Sequence, residues 1–371
     1  MTLSTLRRFI LPSTGLGYYM GKKYTFSFLM VLIGLVATLQ LLDLMAHTDK
    51  ILSADGATSR ELFYYIYLRV PQLISQFIPF SALLATLLTL ASLSQNSEII
   101  IMKAAGLSAQ RILLPLAFPC FLIAISHFAF DNYLTVKTTK ELRYWEDNDY
   151  AVNLPPAPEY STQARFVEGN SLILIKAVSR NGNVVILDKV SIYDRNDKGN
   201  LIKLTRANFA VFTAGNWQLF EVRSFDPLNH QMTTAETQDW SVSISPERFL
   251  AATINPDLVN FNTLSNAISD LKSEGTNVQT LEASLYKKII GPMASLLMPL
   301  LGAIAGFGIH RAGTLLTRVV LGMALGFTFF IADNFMLAMG EFGVAPPLMA
   351  AGAPFLLFMS VGLAVLFFTE E

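Results

Sequence analysis

Two adjacent lysines, Lys287 and Lys288, stand at the start of a long uncharged stretch of the chain. Lysines at such a boundary can extend their ammonium groups towards polar lipid headgroups, which is the ordinary interpretation. They can also bind an anionic amphiphile, because neighbouring ammonium groups complement a phosphate. The residues by themselves leave both interpretations open.

Three other ionisable residues lie within or at the end of uncharged stretches. His127 is about one helical turn from Asp131, so the spacing fits either a hydrogen-bonded structural histidine or a proton relay. Asp333 is the one acid in its stretch and is expected either to bond to Asn334 or a neighbouring helix, or to serve an ion pathway. Asp43 closes the first stretch and is expected at a membrane interface.

A short segment at 97–106 lies between the second and third uncharged stretches. Ser97 suits an N-cap, Glu98 suits the first turn of a helix, and Gly106 suits the residue after the C-cap. The predicted helix of about two turns would expose four apolar residues, Ile99, Ile100, Ile101 and Met102. Such a helix can insert into a groove of a soluble partner or lie against the protein's own helices, and the sequence leaves both open.

Several other kinds of chemistry are not indicated. The four histidines have no metal-ligand spacing, and the single cysteine, Cys120, lies mid-stretch, where a packing role is expected. The segment 16–23 lacks the first glycine and the final Ser or Thr of a phosphate-binding loop. The net charge of −1 argues against nucleic-acid binding. Any active transport must therefore draw its energy from another subunit or from an ion gradient.

Six uncharged stretches frame these residues, three before and three after a polar block of the chain. They are 24–42, 71–97, 112–130, 289–309, 319–340 (apart from Asp333) and 342–369. A helix of about 19 residues spans roughly 30 Å, the thickness of a bilayer's hydrocarbon core. The 15% charged content is well below the ~25% of soluble domains. The sequence predicts six transmembrane helices in a 3 + 3 arrangement.

The distribution of basic residues predicts the orientation of these helices. With the N-terminus inside, the cytoplasmic segments hold eight Lys and Arg residues: Arg7, Arg8, Lys22, Lys23, Lys103, Arg111, Arg311 and Arg318. The short loops on the other side hold three, namely Lys50, Arg60 and Arg69. The positive-inside rule therefore predicts cytoplasmic termini and an external polar block.

The polar block reads as β structure from about residue 160 to 255. Segments 171–177 and 183–193 are rich in β-branched residues, and Asn181-Gly182 between them is a hairpin signal. Leu264, Ile268 and Leu271 then recur at helical spacing. The predicted divisions are 1–131 for the N-terminal membrane half, 132–261 for the β domain, and 262–371 for a linker helix and the C-terminal membrane half.

Four stretches carry a resemblance to a known family: 97–106, 187–193, 240–246 and 285–295. In this order, within the 3 + 3 frame, they resemble the lipopolysaccharide-export permeases LptF and LptG, the paired membrane subunits of an ABC transporter. The resemblance covers nearly the whole chain, and segment 97–106 favours LptG.

The resemblance implies an α-helical inner-membrane protein of a Gram-negative bacterium with an inserted periplasmic β-jellyroll. It implies an export role, in which lipopolysaccharide is taken from the outer leaflet and passed to a periplasmic bridge. The implied partners are a dimer of the ATPase LptB, the second permease, and the periplasmic protein LptC. ATP and Mg²⁺ would be used by the ATPase, and this chain would bind no cofactor and have no enzymatic activity of its own.

The resemblance also implies site residues. Those of the ATPase-coupling helix are Ser97, Glu98, Ile99, Ile100, Met102, Lys103 and Gly106. Lys287 and Lys288 match basic positions that face the phosphorylated headgroup. Similar G-type chains carry a lysine near the end of the first span, where this chain has Asp43, and the nearest lysine is Lys50, the third expected phosphate-binding residue.

Two alternatives remain open from the sequence. One is a membrane-anchored periplasmic scaffold or sensor, which would not need an exposed cytoplasmic helix. The other is a gradient-driven transporter that uses His127 and Asp333, although the two halves show no evident internal symmetry.

Overall fold

The structure is a computed structural model that divides into two compact units. One unit, here called the helical unit, comprises Met1–Val152 and Gln279–Glu371, and the other, the β unit, comprises Asn153–Val278. The residues described are 14–152, 154, 164–181, 184–196, 199–213, 216–227, 229–242, 244, 246, 249, 254–273, 277–307 and 315–368. Gly182 of the expected hairpin turn, the basic residue Arg311 and both termini lie outside them.

The helical unit confirms the predicted membrane helices. Its described α-helices are α1 (Thr14–Leu52), α2 (Ser59–Gln95), α3 (Glu98–Ala104), α4 (Ala109–Phe130), α5 (Val136–Asp147), α7 (Gln279–Phe307), α8 (Leu315–Glu341) and α9 (Pro347–Phe368). Among the described residues, six continuous helical segments are long and apolar enough to cross a membrane. The chain is therefore a multi-pass membrane protein.

The third membrane helix is longer than the sequence suggests. After α4 the backbone passes through a π-helix, Asp131–Thr135, and continues directly into α5. The polar α5 remains helical because it has a buried face that includes Leu142 and Trp145. The predicted boundary at 131/132 thus falls inside a continuous helix, and the two compact units divide at 152/153 and 278/279 instead.

Close packing of α8 against α2 depends on small residues. A Cβ added at Gly322 would lie 2.6 Å from Leu87 Cδ1, and one added at Gly326 would overlap the Leu83 side chain. Small residues let membrane helices approach closely, and these two glycines leave room for the Leu83 and Leu87 side chains between α8 and α2.

The β unit contains six described strands in one antiparallel sheet. They are β1 (Ala164–Glu168), β2 (Ser171–Asn181), β3 (Val184–Arg195), β4 (Leu201–Thr213), β5 (Asn216–Asp226) and β6 (Gln231–Trp240). Each described strand pairs with the next in the chain, so the order is that of a meander. Leu187, Trp217 and Phe249 lie in its apolar core. This confirms an inserted β domain, and a short 3₁₀ helix (Pro256–Leu258) and the predicted helix α6 (Phe261–Ser273) follow it.

Candidate functional site

The segment between α2 and α4 forms the expected short helix, α3, but not with the expected cap. Ser97 occupies the predicted N-cap position, but it has φ 58 and its side chain makes no capping hydrogen bond. The reason is the tight turn from α2, in which the Ser97 N–H donates to the Ser94 carbonyl at 3.0 Å. The other end is as predicted: Gly106 has φ +83, and its N–H donates to the Lys103 carbonyl at 2.9 Å.

The apolar residues of α3 divide between two faces. Ile99 and Met102 are buried in the core of the helical unit, with 8% and 9% of their surface exposed. Ile100 and Ile101 are each 66% exposed. The expectation that all four would be exposed is therefore corrected: two of them anchor α3 to its own helices and two remain available to a partner. Lys103 is also exposed.

Glu98 connects α3 to the first membrane helix. Its Oε1 accepts a hydrogen bond from the Tyr19 hydroxyl at 3.1 Å and lies 3.7 Å from Lys23 Nζ. Asn96 Nδ2 donates to the same oxygen at 3.5 Å. Lys23 also lies over the Tyr19 ring, 5.6 Å from its centroid. Three groups therefore fix one carboxylate at the end of the helical unit where α1 begins and α2 ends.

Lys287 is paired with Asp333 of α8. Its ammonium group donates a hydrogen bond to Asp333 Oδ2, which joins α7 to α8. The Asn334 amide instead donates to the Phe330 carbonyl of its own helix at 2.8 Å. Asp333 thus bonds to a neighbouring helix, one of the two partners that the sequence left open.

The three candidate lysines have different surroundings. Lys288 is half-buried beside Lys287, whereas Lys50 is exposed in the last turn of α1.

The ion pair of Lys287 could have been inferred from the sequence, because an acid and a basic residue in neighbouring apolar helices are each costly without a partner.

A second ion pair joins α1 and α2, and the sequence patterns above do not predict it. Arg69 Nη2 and Nε lie 3.1 and 3.2 Å from the two oxygens of Asp43, and the Tyr65 hydroxyl donates to Asp43 Oδ2 at 2.7 Å. Arg69 also donates to the Gln72 side chain. The available signal was an acid directly after the first uncharged stretch and a base shortly before the second.

Aromatic rings pack around Tyr65, which bonds to Asp43 of this ion pair. His47 stacks on Tyr65 with 5.4 Å between ring centroids, and Tyr150 meets Tyr65 edge-on at 6.4 Å. Burial raises the pKa of Tyr150, and the Glu146 and Asp43 carboxylates raise it further. Tyr150 therefore remains a neutral packing residue.

A polar cluster lies where α4 meets the π-helix. The Ser75 hydroxyl donates to Asp131 Oδ1 at 2.7 Å and lies 3.0 Å from His127 Nε2. Since the hydroxyl hydrogen is directed to Asp131, the imidazole Nε2 must supply the hydrogen of the second bond. The geometry is that of a structural histidine linked to Asp131 through Ser75.

An apolar cavity of about 330 Å³ adjoins this cluster. It lies between α1, α2 and α4, and its lining includes Phe28, Ile78, Leu122 and His127. Within the described part of the chain, no group of three or more His, Cys, Asp or Glu side chains is placed to hold a metal ion.

Comparisons with known proteins agree with this architecture. The family model described as "Lipopolysaccharide export system permease LptF/LptG" matches residues 18–367. The permease protein LptG of Haemophilus influenzae (strain Rd) is 26% identical over 365 residues, covering 92% of this chain and 95% of the relative. The LptG protein of Escherichia coli K12 is also 26% identical, covering 96% of this chain and 98% of the relative. The chain belongs to the lipopolysaccharide export system permease family LptF/LptG.

Proposed function

We propose that this chain is the LptG-type permease subunit of an ABC transporter that extracts lipopolysaccharide from the outer leaflet of the inner membrane. The supporting observation is the anchored helix α3, which presents Ile100 and Ile101 between two membrane helices while Ile99 and Met102 hold it in place. An anchored helix with an exposed apolar face is suited to dock into a groove of a soluble subunit. The LptG names of the relatives favour LptG over LptF.

In this proposal, α3 is the coupling helix for a dimeric LptB-like ATPase. Its exposed apolar residues dock on the ATPase, and Glu98 passes the resulting movement to α1 through Tyr19 and Lys23. ATP and Mg²⁺ are bound by the ATPase and not by this chain. A second, LptF-like permease faces this one around the lipid.

Lys287, Lys288 and Lys50 are the proposed contacts for the phosphates of lipopolysaccharide. Extraction is costly because exposing acyl chains to water costs about 0.8 kcal/mol per CH₂ group. The β unit lies in the periplasm. Its apolar interior receives the lipid, which keeps the acyl chains out of water, and the β unit passes the lipid to an LptC-like protein and the periplasmic bridge.

Both termini and α3 are cytoplasmic, as the basic residues of the short loops suggest.

Co-purification tests the proposal most directly. The tagged full-length chain, extracted in mild detergent, should retain a cytoplasmic ATPase and a second six-span subunit. The double variant Ile100→Asp/Ile101→Asp should lose the ATPase and keep the second permease. Val344→Asp is the matched control, because Val344 is also 66% exposed but lies at the other end of the membrane helices. Absence of both subunits from the wild-type preparation would favour a scaffold or sensor instead.

A further inference from the structure

The ion pair between Lys287 and Asp333 lies within segments that cross the membrane, Gln279–Ala305 and Val319–Glu341. The two side chains are only 23% and 11% exposed. A charge at such a position is costly when it lacks a partner, so each residue needs the other in the state described here. Asn334 does not share this task, because its amide donates to Phe330.

We propose that Asp333 is a replaceable counter-ion: the phosphate of the incoming lipid displaces its carboxylate from Lys287, and the carboxylate returns when the lipid leaves. This inference rests on the proposed function, in which Lys287 contacts the lipid phosphate. A phosphate and the Asp333 carboxylate carry the same sign of charge and would repel each other at one ammonium group. Binding the phosphate therefore requires breaking or weakening the existing ion pair.

Such an exchange suits a protein that must release its cargo. The resident carboxylate competes with the phosphate and lowers the affinity of the site, because only the difference between the two ion pairs contributes to binding. When the lipid departs, the returning carboxylate neutralises Lys287, so no unpaired charge remains in the membrane. Asp333 is thus a positioning residue that sets the affinity and the rate of release.

The test compares binding of two lipid probes to the complete transporter complex in nanodiscs. The probes are bisphosphorylated lipid A and the same lipid A without phosphates. Asp333→Asn removes the competing charge but keeps the shape, so it should bind the bisphosphorylated probe about tenfold more tightly, through slower dissociation. Its affinity for the dephosphorylated probe should be unchanged, and Asp333→Glu should behave like the wild type.

A purely structural ion pair gives different results. Asp333→Asn would then bind the bisphosphorylated probe equally or more weakly, and this outcome overturns the inference. If the single variant does not fold, Lys287→Met/Asp333→Leu removes both charges, a replacement that is often tolerated for buried pairs. This variant should have a weaker preference for the phosphorylated probe than the wild type, because Lys288 and Lys50 remain; a preference equal to that of the wild type overturns the inference.

Failure of this inference can be told apart from failure of the proposed function. If Lys287→Met binds both probes like the wild type while the ATPase and second permease still co-purify, Lys287 is not a phosphate contact and only the inference fails. If the wild-type complex binds neither probe and contains no ATPase, the proposed function fails.

Discussion

The Tyr19 hydroxyl and the Glu98 carboxylate, 79 positions apart in the chain, are joined by a hydrogen bond of 3.1 Å. This bond links the first turns of α1 to the first turn of α3. Since Lys23 approaches the same carboxylate oxygen, α3 cannot move far without either moving α1 or breaking these contacts. In the proposed transporter, Glu98 therefore connects the ATPase-docking helix to a membrane helix.

Replacing Glu98 by Ala should uncouple these two helices. We expect ATP hydrolysis by the assembled complex to persist while lipid release per ATP falls several-fold, because α1 no longer follows α3. The loss in stability should be small, about 0.2–1 kcal/mol, as for other partly exposed ion pairs. Lipid transfer from proteoliposomes to an acceptor, measured beside ATPase activity, checks this.

Tyr19→Phe is the matched control, since it removes one hydrogen bond and leaves the Lys23 contact in place. It should have a weaker effect than Glu98→Ala. Normal lipid release by the Glu98→Ala complex would show that the connection is not used.

Truncation of two adjacent isoleucines of α3, Ile99 and Ile100, should affect two different properties. Ile99→Ala should lower the free energy of unfolding by roughly 2–5 kcal/mol, because it leaves a cavity in the core. Ile100→Ala should leave stability unchanged and weaken ATPase binding, because its side chain is exposed. Thermal unfolding of the purified chain and ATPase pull-down separate the two effects, and equal behaviour of both variants would contradict the division into two faces.

The sequence predicted most of the membrane architecture, because a bilayer requires about 20 apolar residues per helix. It did not predict the continuation past Phe130, since α5 is polar in composition and stays helical through the packing of residues such as Trp145. The Ser97 cap failed because the turn that leaves α2 imposes a left-handed backbone. The first error concerns a contact between elements, and the second concerns the backbone conformation of a turn, which the residue types alone do not specify.

The same distinction holds for the candidate site residues: their types are visible in the sequence, whereas their contacts with distant residues depend on the fold. Glu98 and Lys287 were identified from local composition and resemblance, but their partners Tyr19 and Asp333 are 79 and 46 positions away. Asp333 is an unusual acid in the sequence, and the packing of α8 on α7 identifies Lys287 as its partner.

The Asp43–Arg69 pair should show a strong energetic coupling. Asp43→Asn leaves the Arg69 guanidinium without its carboxylate, whereas Asp43→Asn/Arg69→Gln removes both charges. We expect the double variant to be more stable than the sum of the single losses indicates, with a coupling energy of about 2 kcal/mol. A double-mutant cycle of thermal unfolding in detergent measures this, and strict additivity would mean that the pair contributes nothing to stability.

Loss of the Ser75 hydroxyl should disturb the junction between α4 and the π-helix. Ser75→Ala removes the bond donor to Asp131 and the acceptor for His127 together, which leaves two partly buried polar groups without this partner. We expect a loss of about 1–3 kcal/mol in stability and faster amide hydrogen exchange at 131–135. Ser81→Ala in the same helix is the matched control, because the buried Ser81 hydroxyl has no hydrogen-bond partner within the described residues. Its removal should be neutral or slightly stabilising, so equal losses from the two variants would refute a special role for the Ser75 cluster in holding the π-helix.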